Sequence, residues 1–275
     1  MNSESMLRTV LPMVFNPSPD LLALDFDGVI CDGLIEYFQT AWAAYCQVWQ
    51  PDDPTPPQGL AEQFYPLRPV IETGWEMPVL LRSLLLNTDI DAIVKDWPTV
   101  AQTLIAADGV DPKALAMAVD GGRDRWIQAD LENWLAQHRF YPGVLTTLKH
   151  FLASSTHTVI ISTKEGRFIH QLLQQQGVDL PRELIYGKEV KRPKYETLRL
   201  LIQELSTQSP TKSSPTVVFI EDRLEALQAT AQQPDLECVQ LYLADWGYNM
   251  AAERDRVRQA GERIQLLTLS DFTAA

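Results

Sequence analysis

The hydrophobic pattern changes twice along the chain and divides it into three stretches. Residues 21–26 open with the apolar run LLAL, which is typical of a strand buried on both faces of a parallel sheet. Between residues 33 and 140 apolar side chains recur at helical spacing, beginning with Ile35 and Phe38, and we find no good strand there. From residue 141 onward short apolar runs alternate with amphipathic segments, as strands and helices do in a doubly wound sheet.

These patterns predict an α/β protein with two parts. Residues 1–32 and 141–275 are expected to form a Rossmann-like core around a doubly wound parallel sheet. Residues 33–140 are expected to form an all-helical insertion, in which six prolines between residues 51 and 70 forbid long regular structure. Six of the seven tryptophans lie in the insertion, so we expect it to have its own aromatic core.

Composition narrows the possible partners. The chain has 275 residues and a formal net charge of −13, which disfavours binding to nucleic acid or to an anionic membrane. No apolar run approaches the roughly 20 residues of a membrane span, and the N-terminus is not a convincing signal peptide. The three cysteines form no metal-like pair, which favours a reducing compartment. We therefore expect a soluble cytoplasmic protein, either a monomer or a homodimer.

Polar groups of one kind follow the predicted strands. They are Asp25 and Asp27, Ser162-Thr163-Lys164, Lys191 and Lys194, and Glu221-Asp222. The carboxyl ends of parallel strands meet at one crevice, and several carboxylates gathered there are costly unless a cation neutralises them. Oxygen ligands without histidine or cysteine favour Mg²⁺. A lysine and a hydroxyl beside the metal suit a phosphoryl group.

This set of residues resembles the motifs of the haloacid dehalogenase-like superfamily of hydrolases. The matching residues are the first motif Asp25-Phe26-Asp27-Gly28-Val29, Ser162 at the end of an apolar strand, a lysine before a helix, and Glu221-Asp222 after VVFI. The stretch Asp245-Trp246-Gly247-Tyr248 is similar to a turn found in phosphoglycolate phosphatase-like members. In that family an all-helical insertion after the first motif forms a cap, and residues 33–140 fit this description.

The resemblance implies a role for each matching residue. Asp25 is expected to be the nucleophile, Asp27 the general acid and base, and Ser162 a ligand of the phosphoryl oxygens. Asp25, the backbone carbonyl of Asp27, Glu221 and Asp222 are expected to hold Mg²⁺. The residues expected to contact substrate are Phe26, Gly28, Thr163, Lys164 (which could reach a second anionic group) and, from the cap, Arg68.

The residues leave two choices to weigh. Lys194 is preferred as the catalytic lysine because it lies directly at the predicted helix start, and Lys191 is the alternative. Asp27 favours phosphoryl transfer over dehalogenation, since an alcohol needs a proton to leave and a halide does not. We expect a Mg²⁺-dependent phosphatase of a small phosphorylated metabolite. The alternatives are a phosphotransferase or mutase acting on a sugar phosphate, and a non-catalytic binding module.

Overall fold

A computed structural model describes residues 15, 17–208, 215–261 and 263–274 of the chain. The described part forms two compact units. One contains the residues up to Asp32 and those from Phe140 onward, and the other is Gly33–Arg139. This division lies within one residue of the expected boundaries. The N-terminal stretch, which is not expected to be a signal peptide, lies mostly within residues 1–14, and these are outside the described residues.

The core unit contains a six-stranded sheet in which every neighbouring pair of strands is parallel. The strands of the chain are β1 Leu21–Leu24, β2 Cys31–Asp32, β3 Arg139–Phe140, β4 His157–Ile161, β5 Ile185–Tyr186, β6 Val217–Glu221, β7 Val239–Ala244 and β8 Ile264–Leu267. The order in the sheet is β5-β4-β1-β6-β7-β8. This order confirms the predicted doubly wound parallel sheet.

Strand β1 lies in the middle of the sheet, between β4 and β6. All four of its residues are buried, which explains why the run contains no polar position. From β1 the chain continues to β4 and β5 on one side, and it later builds β6, β7 and β8 on the other. The carboxyl end of β1 is therefore the point where the strand order reverses, which is where ligands bind in sheets of this type.

Helices of the core unit alternate with the strands. They are α8 Val144–Leu152, α9 Gly166–Gln175, α10 Lys194–Gln208, α11 Leu224–Ala231, α12 Ala251–Ala260 and α13 Leu269–Thr273. Short 3₁₀ turns occupy Arg182–Leu184, Lys188–Val190 and Pro234–Leu236. The apolar side of the sheet between β4 and β8 packs against helical side chains such as Leu198, Leu201 and Leu227, all nearly inaccessible to solvent. The sequence pattern did not predict α12 or α13.

The cap unit is helical up to its last residue, Arg139, which begins β3, so the expectation of no strand between residues 33 and 140 is wrong at its end. Its helices are α1 Leu34–Trp49, α2 Leu60–Phe64, α3 Glu76–Leu85, α4 Ile90–Lys95, α5 Trp97–Asp108, α6 Pro112–Ala129 and α7 Leu131–Leu135, with a 3₁₀ turn at Tyr65–Val70. It has its own hydrophobic core, in which Phe38, Phe64 and Trp97 are buried among aliphatic side chains. Several of the other tryptophans of the cap pack only partly buried at the margin of this core.

Helix boundaries in the cap differ from the periodicity in two places. The pattern predicts one helix over 91–106 and another through residues 126–135, but the structure ends a helix at Lys95 and another at Ala129. At each break an aspartate begins the next helix, since Asp96 accepts from the Thr99 N–H and Asp130 from the Asn133 N–H. Apolar spacing can continue across such a break, and the capping aspartate is the signal that marks it. Within the described residues, none of the helices is both long and apolar enough to cross a membrane.

Candidate active site

The register of the sheet places the first two acidic groups side by side. Leu24 of β1 is paired with Ile220 of β6, so the next residues, Asp25 and Glu221, are neighbours at the carboxyl ends of their strands. The Asp25 N–H donates to the Ile220 carbonyl at 3.0 Å. The predicted strand 21–26 thus ends earlier than expected, at Leu24, and Asp25 belongs to the loop that follows it.

Three carboxylates form one buried cluster. Asp25, Glu221 and Asp222 each bring a carboxylate oxygen within 4.8 Å of the others, and their residues are 5%, 1% and 1% exposed. The Asp27 carboxylate is not part of this cluster. The metal contact expected of the Asp27 backbone carbonyl remains a prediction. Acidic side chains that lie far apart in the chain therefore meet at the ends of β1 and β6.

Lys194 is the cation that lies against this cluster. It begins α10, and its Nζ is 2.8 Å from Asp25 Oδ2 and 2.6 Å from Glu221 Oε2. The other oxygen of Asp25, Oδ1, accepts from the Phe26 N–H at 2.7 Å. Both oxygens of Asp25 are thus held in position. Lys194, the lysine preferred from the sequence, is the one that contacts Asp25, and its catalytic role remains a prediction.

One lysine does not balance three buried carboxylates. Burial, and next the charge of Asp25, raise the pKa of Glu221 well above its usual value. The same two causes raise the pKa of Asp222 to about 7, although the Tyr248 N–H opposes the shift. Burial on its own would lower the pKa of Lys194, but the charges of Asp25 and Glu221 outweigh it and raise that pKa. The cluster therefore favours an additional positive charge.

The residues of the cluster fit a divalent cation, both in their donor atoms and in their net charge. The cluster supplies three oxygen donors from one buried site, and oxygen is the donor that Mg²⁺ prefers. Three carboxylates with one neighbouring lysine leave a net negative charge that a divalent cation would neutralise. Asp25, Glu221 and Asp222 are the side chains that would hold it.

Gly28 makes room for this arrangement. Its φ is +82°, and a Cβ added there would lie 2.0 Å from Oδ2 of Asp222. Gly247 is similarly constrained, since an added Cβ would be 2.3 Å from the Cβ of Asp222 and 2.5 Å from the Gly28 carbonyl oxygen. Gly28 is one of the residues expected to contact substrate. In the structure its N–H donates to the Cys31 carbonyl at 2.8 Å, and its missing side chain admits the carboxylate of Asp222.

The loop after β7 supports the site, although its residue pattern indicated no function. The Tyr248 N–H donates to Asp222 Oδ2 at 2.8 Å, and the Asn249 side-chain amide donates to the Asp222 carbonyl at 3.0 Å. The Tyr248 hydroxyl donates to Asp32 at 2.8 Å, and the Trp246 indole donates to the Val29 carbonyl at 3.1 Å. The resemblance of this stretch to a family turn was the only signal for it, because its contacts are made with residues far away in the chain.

Asp27 has its own cation. Lys164 Nζ lies 3.2 Å from Asp27 Oδ1 and 3.4 Å from Oδ2. The Asp27 side chain is 16% exposed and the Lys164 side chain 9%, so Asp27 is more exposed than Asp25, whose side chain is 8% exposed. Lys164 is expected to contact substrate. In the structure it contacts Asp27, the predicted general acid and base.

The predicted phosphoryl ligand follows β4. The Ser162 N–H donates to the Tyr186 carbonyl at 2.9 Å, and Ser162 Oγ accepts from the Lys164 N–H at 3.3 Å. Thr163 is exposed beside it. Lys191, the alternative catalytic lysine, is also exposed and is not among the residues that contact Asp25 in the ion pairs above.

Two of the residues expected to contact substrate have other contacts here. The Phe26 side chain is fully buried, packs edge-on against Phe140 with ring centroids 6.2 Å apart, and its N–H is bonded to Asp25. Arg68 belongs to the cap unit, where its guanidinium lies 4.8 Å from the Tyr37 ring centre and donates to the Ile71 carbonyl. A role for either residue in substrate binding remains a prediction.

Comparison with known proteins adds evidence on the fold. No family model matches the sequence, and no curated protein matches it. Solved structures do match over most of the chain. A protein described as a predicted phosphoglycolate phosphatase from Haemophilus somnus is 14% identical, with a TM-score of 0.54 over 92% of this chain and 95% of that one.

Two further structures match to a similar extent. A haloacid dehalogenase-like hydrolase from Streptococcus pneumoniae is 15% identical, with a TM-score of 0.51 over 91% of this chain and 94% of that one. A predicted phosphatase from Clostridium acetobutylicum is 14% identical, with a TM-score of 0.52 over 93% and 96%. The chain has the fold of the haloacid dehalogenase-like hydrolases. The structures that match this chain include a protein described as a predicted phosphoglycolate phosphatase.

Proposed function

We propose that this protein is a Mg²⁺-dependent phosphatase that hydrolyses a small phosphomonoester through an aspartyl-phosphate on Asp25. The observation that carries the proposal is the arrangement around Asp25. Its two oxygens are held by Lys194 and by the Phe26 N–H, and it shares a buried cluster with Glu221 and Asp222. A carboxylate fixed in this way is suited to attack at phosphorus.

Charge is the main obstacle to this reaction, since a carboxylate and a phosphate dianion repel each other. Lys194 lies on the nucleophile itself, at 2.8 Å, and offsets part of that repulsion. A bound Mg²⁺ would supply the rest of the positive charge and polarise the phosphoryl group. Ser162, one residue beyond the end of β4, offers a hydroxyl for a phosphoryl oxygen.

The first chemical step forms the phosphoenzyme. An Asp25 oxygen attacks phosphorus, the bond between phosphorus and the ester oxygen breaks, and Asp27 gives its proton to the departing alkoxide. In the second step Asp27 takes a proton from water, and the water oxygen attacks phosphorus. The bond between phosphorus and Asp25 then breaks and inorganic phosphate is released.

Lys164 bears on the timing of these proton transfers. In the structure its Nζ lies 3.2 and 3.4 Å from the two oxygens of the Asp27 carboxylate, the oxygens that carry the proton in both steps. Donation to the leaving alcohol requires the protonated form, so we expect the pair to loosen when an anionic substrate attracts Lys164.

Hydrolysis of p-nitrophenyl phosphate with and without Mg²⁺ tests the proposal. We expect turnover that depends on the metal, that is abolished in Asp25→Asn, and that is retained in Asp179→Asn, a matched change at an exposed position after α9. Asp27→Ala should slow breakdown of the intermediate, so that mass spectrometry finds a phosphoryl group on Asp25.

Three outcomes would count against the proposal in different ways. No turnover of a broad panel of phosphate esters would favour a binding module. Transfer of the phosphoryl group to an added sugar phosphate, in place of release as inorganic phosphate, would favour a phosphotransferase. Full activity in Asp25→Asn would contradict the assigned nucleophile.

A further inference from the structure

A cavity beside the candidate active site is not used by the proposed mechanism. It has a volume of about 330 Å³ and lies where the ends of β4 and β5 meet the start of α10. The residues of its wall that matter here are Ser162, Thr163, Lys188, Lys191, Arg192 and Lys194. Ser162 and Lys194 also belong to the candidate active site, so the side cavity and the candidate active site share two residues.

The side cavity is positively charged. Four of its lining residues are cations, and the described residues that line it include no carboxylate. Of the four, only Lys194 is matched by acidic partners in the ion pairs described above. The chain as a whole carries a net charge of −13, so a cavity whose described lining contains four cations and no carboxylate is not a consequence of overall composition.

Glu189 is the acidic residue in the segment that forms the wall, and it is not among the residues that line the cavity. Its Oε2 accepts from the Gly166 N–H at the start of α9, at 3.1 Å. The carboxylate therefore supports the turn next to the cavity. Arg192 is itself fixed, because its Nε donates to the buried Thr197 hydroxyl at 2.9 Å.

Lys191 has an unusual backbone conformation. Its φ is +52°, in the left-handed region, and among the described non-glycine residues only Gln50 and Asn87 share a positive φ. A lysine at this position is strained where glycine would not be. Lys191 ends the 3₁₀ turn Lys188–Val190 in this conformation, and this places the residue in the wall of the side cavity.

We propose that the side cavity binds a second anionic group, a carboxylate or a phosphate, on the same phosphomonoester whose phosphoryl group is transferred to Asp25. This inference rests on the proposed function, since it takes Ser162 and Lys194 as the phosphoryl site. Lys191 and Arg192 hold the second anion by charge-assisted hydrogen bonds, which are stronger than neutral ones. The preferred substrate is therefore an anionic phosphate ester, and an ester with a neutral alcohol is bound less well.

Non-hydrolysable phosphonates separate this inference from turnover. Isothermal titration calorimetry in Mg²⁺ would compare methylphosphonate with phosphonoacetate and 3-phosphonopropionate, which carry a carboxylate on linkers of different length. We expect at least one of the carboxylates to bind about tenfold more tightly than methylphosphonate, a ratio that corresponds to roughly 1.4 kcal/mol. Because the two linkers differ in reach, a gain for one of them is sufficient.

Variants of Lys191 assign the preference to the side cavity. Lys191→Gly removes the charge at a backbone conformation that glycine adopts without strain, so the protein should fold and its melting temperature should not fall. We expect the affinity ratio to drop toward one in this variant and to be kept in Lys191→Arg. The control is Arg256→Gln, which removes a charge from the exposed side of α12, next to the opposite edge of the sheet, and should leave the ratio unchanged.

Three results would overturn the inference. The first is that neither linked probe binds more tightly than methylphosphonate. The second is that the ratio is unchanged in Lys191→Gly. The third is that methylphosphonate and free acetate together bind as tightly as the linked probes, because the cavity would then take an independent anion. If instead p-nitrophenyl phosphate is never hydrolysed while the ratio behaves as expected, the proposed function fails and the anion site stands.

Discussion

Gly28 offers a direct test of how closely the site is packed. Alanine at this position would place its Cβ 2.0 Å from Asp222 Oδ2 and 2.4 Å from Cγ, at a φ of +82°. Gly59 has the same φ of +82°, but an added Cβ there would meet nothing within 4 Å. The two glycine-to-alanine substitutions therefore share the backbone cost, and only one of them displaces a carboxylate of the candidate active site.

The structure gives a magnitude for the difference. Each alanine is strained in the left-handed region by about 1–2 kcal/mol. Gly28→Ala must also move Asp222, which accepts the Tyr248 N–H at 2.8 Å, and loss of a hydrogen bond to a charged group costs about 1.5–3 kcal/mol. We therefore expect Gly28→Ala to lower the free energy of unfolding by about 2 kcal/mol more than Gly59→Ala does.

Urea denaturation of both variants measures this difference, and calorimetric titration with Mg²⁺ adds a second measurement. Displacing Asp222 removes one of three carboxylate oxygens from the cluster, so Gly28→Ala should bind Mg²⁺ more weakly, whereas Gly59→Ala should bind it as the unchanged protein does. Equal loss of stability in both variants, together with unchanged Mg²⁺ affinity in Gly28→Ala, would refute the packing argument.

Two cations that pair with buried carboxylates give further predictions. Lys194→Met leaves Asp25 and Glu221 without their cation, so we expect lost phosphatase activity and a stability loss of about 3–5 kcal/mol, which Mg²⁺ partly reverses in thermal melts. In the cap, Arg123→Met leaves the 1% exposed Glu36 carboxylate without the guanidinium that lies 2.7 Å away. Urea denaturation should show a loss of similar size, about 3–5 kcal/mol. Matched substitutions at more exposed positions serve as controls. Lys149→Met removes a lysine from the exposed side of α8, where it donates to the Gln176 carbonyl. Arg82→Met breaks the pair with Asp108, whose side chains are 25% and 20% exposed, and such pairs contribute about 0–1 kcal/mol. If the controls lower the free energy of unfolding as much as Lys194→Met and Arg123→Met do, burial of the carboxylates is not the reason that the ion pairs of Lys194 and Arg123 stabilise the protein.

The sequence was most informative where an apolar run stops. In a parallel sheet the residue after such a run lies at the carboxyl edge, so the pattern alone places Asp25, Ser162 and Glu221 at one crevice. The fold class followed from the same alternation and is confirmed. The polar residues that follow each strand were also visible in the sequence, although the register of the strands, which brings Asp25 beside Glu221, was not readable from it.

The sequence pattern could not predict contacts between loops that lie far apart in the chain. Gly247 and Tyr248 act on Asp222 through the absence of a side chain and through the backbone, and neither property leaves a periodic signal. The choice between the two lysines was different, because the predicted helix start already favoured Lys194, and α10 begins at Lys194. The left-handed conformation of Lys191 after the turn at Lys188–Val190 was not predictable, since propensity does not favour it for lysine.

The two aspartates of the first motif lie two residues apart and have different surroundings. Asp25 is 5% exposed and has both oxygens fixed, at 2.7 and 2.8 Å, while Asp27 is more open and has one cation at 3.2 and 3.4 Å. Attack at phosphorus needs a carboxylate in one defined orientation, whereas a proton carrier must reach an alcohol in one step and a water molecule in the next. Different environments of two neighbouring carboxylates usually separate their roles, and here burial and fixation point to Asp25 as nucleophile and to Asp27 as the group that moves the proton.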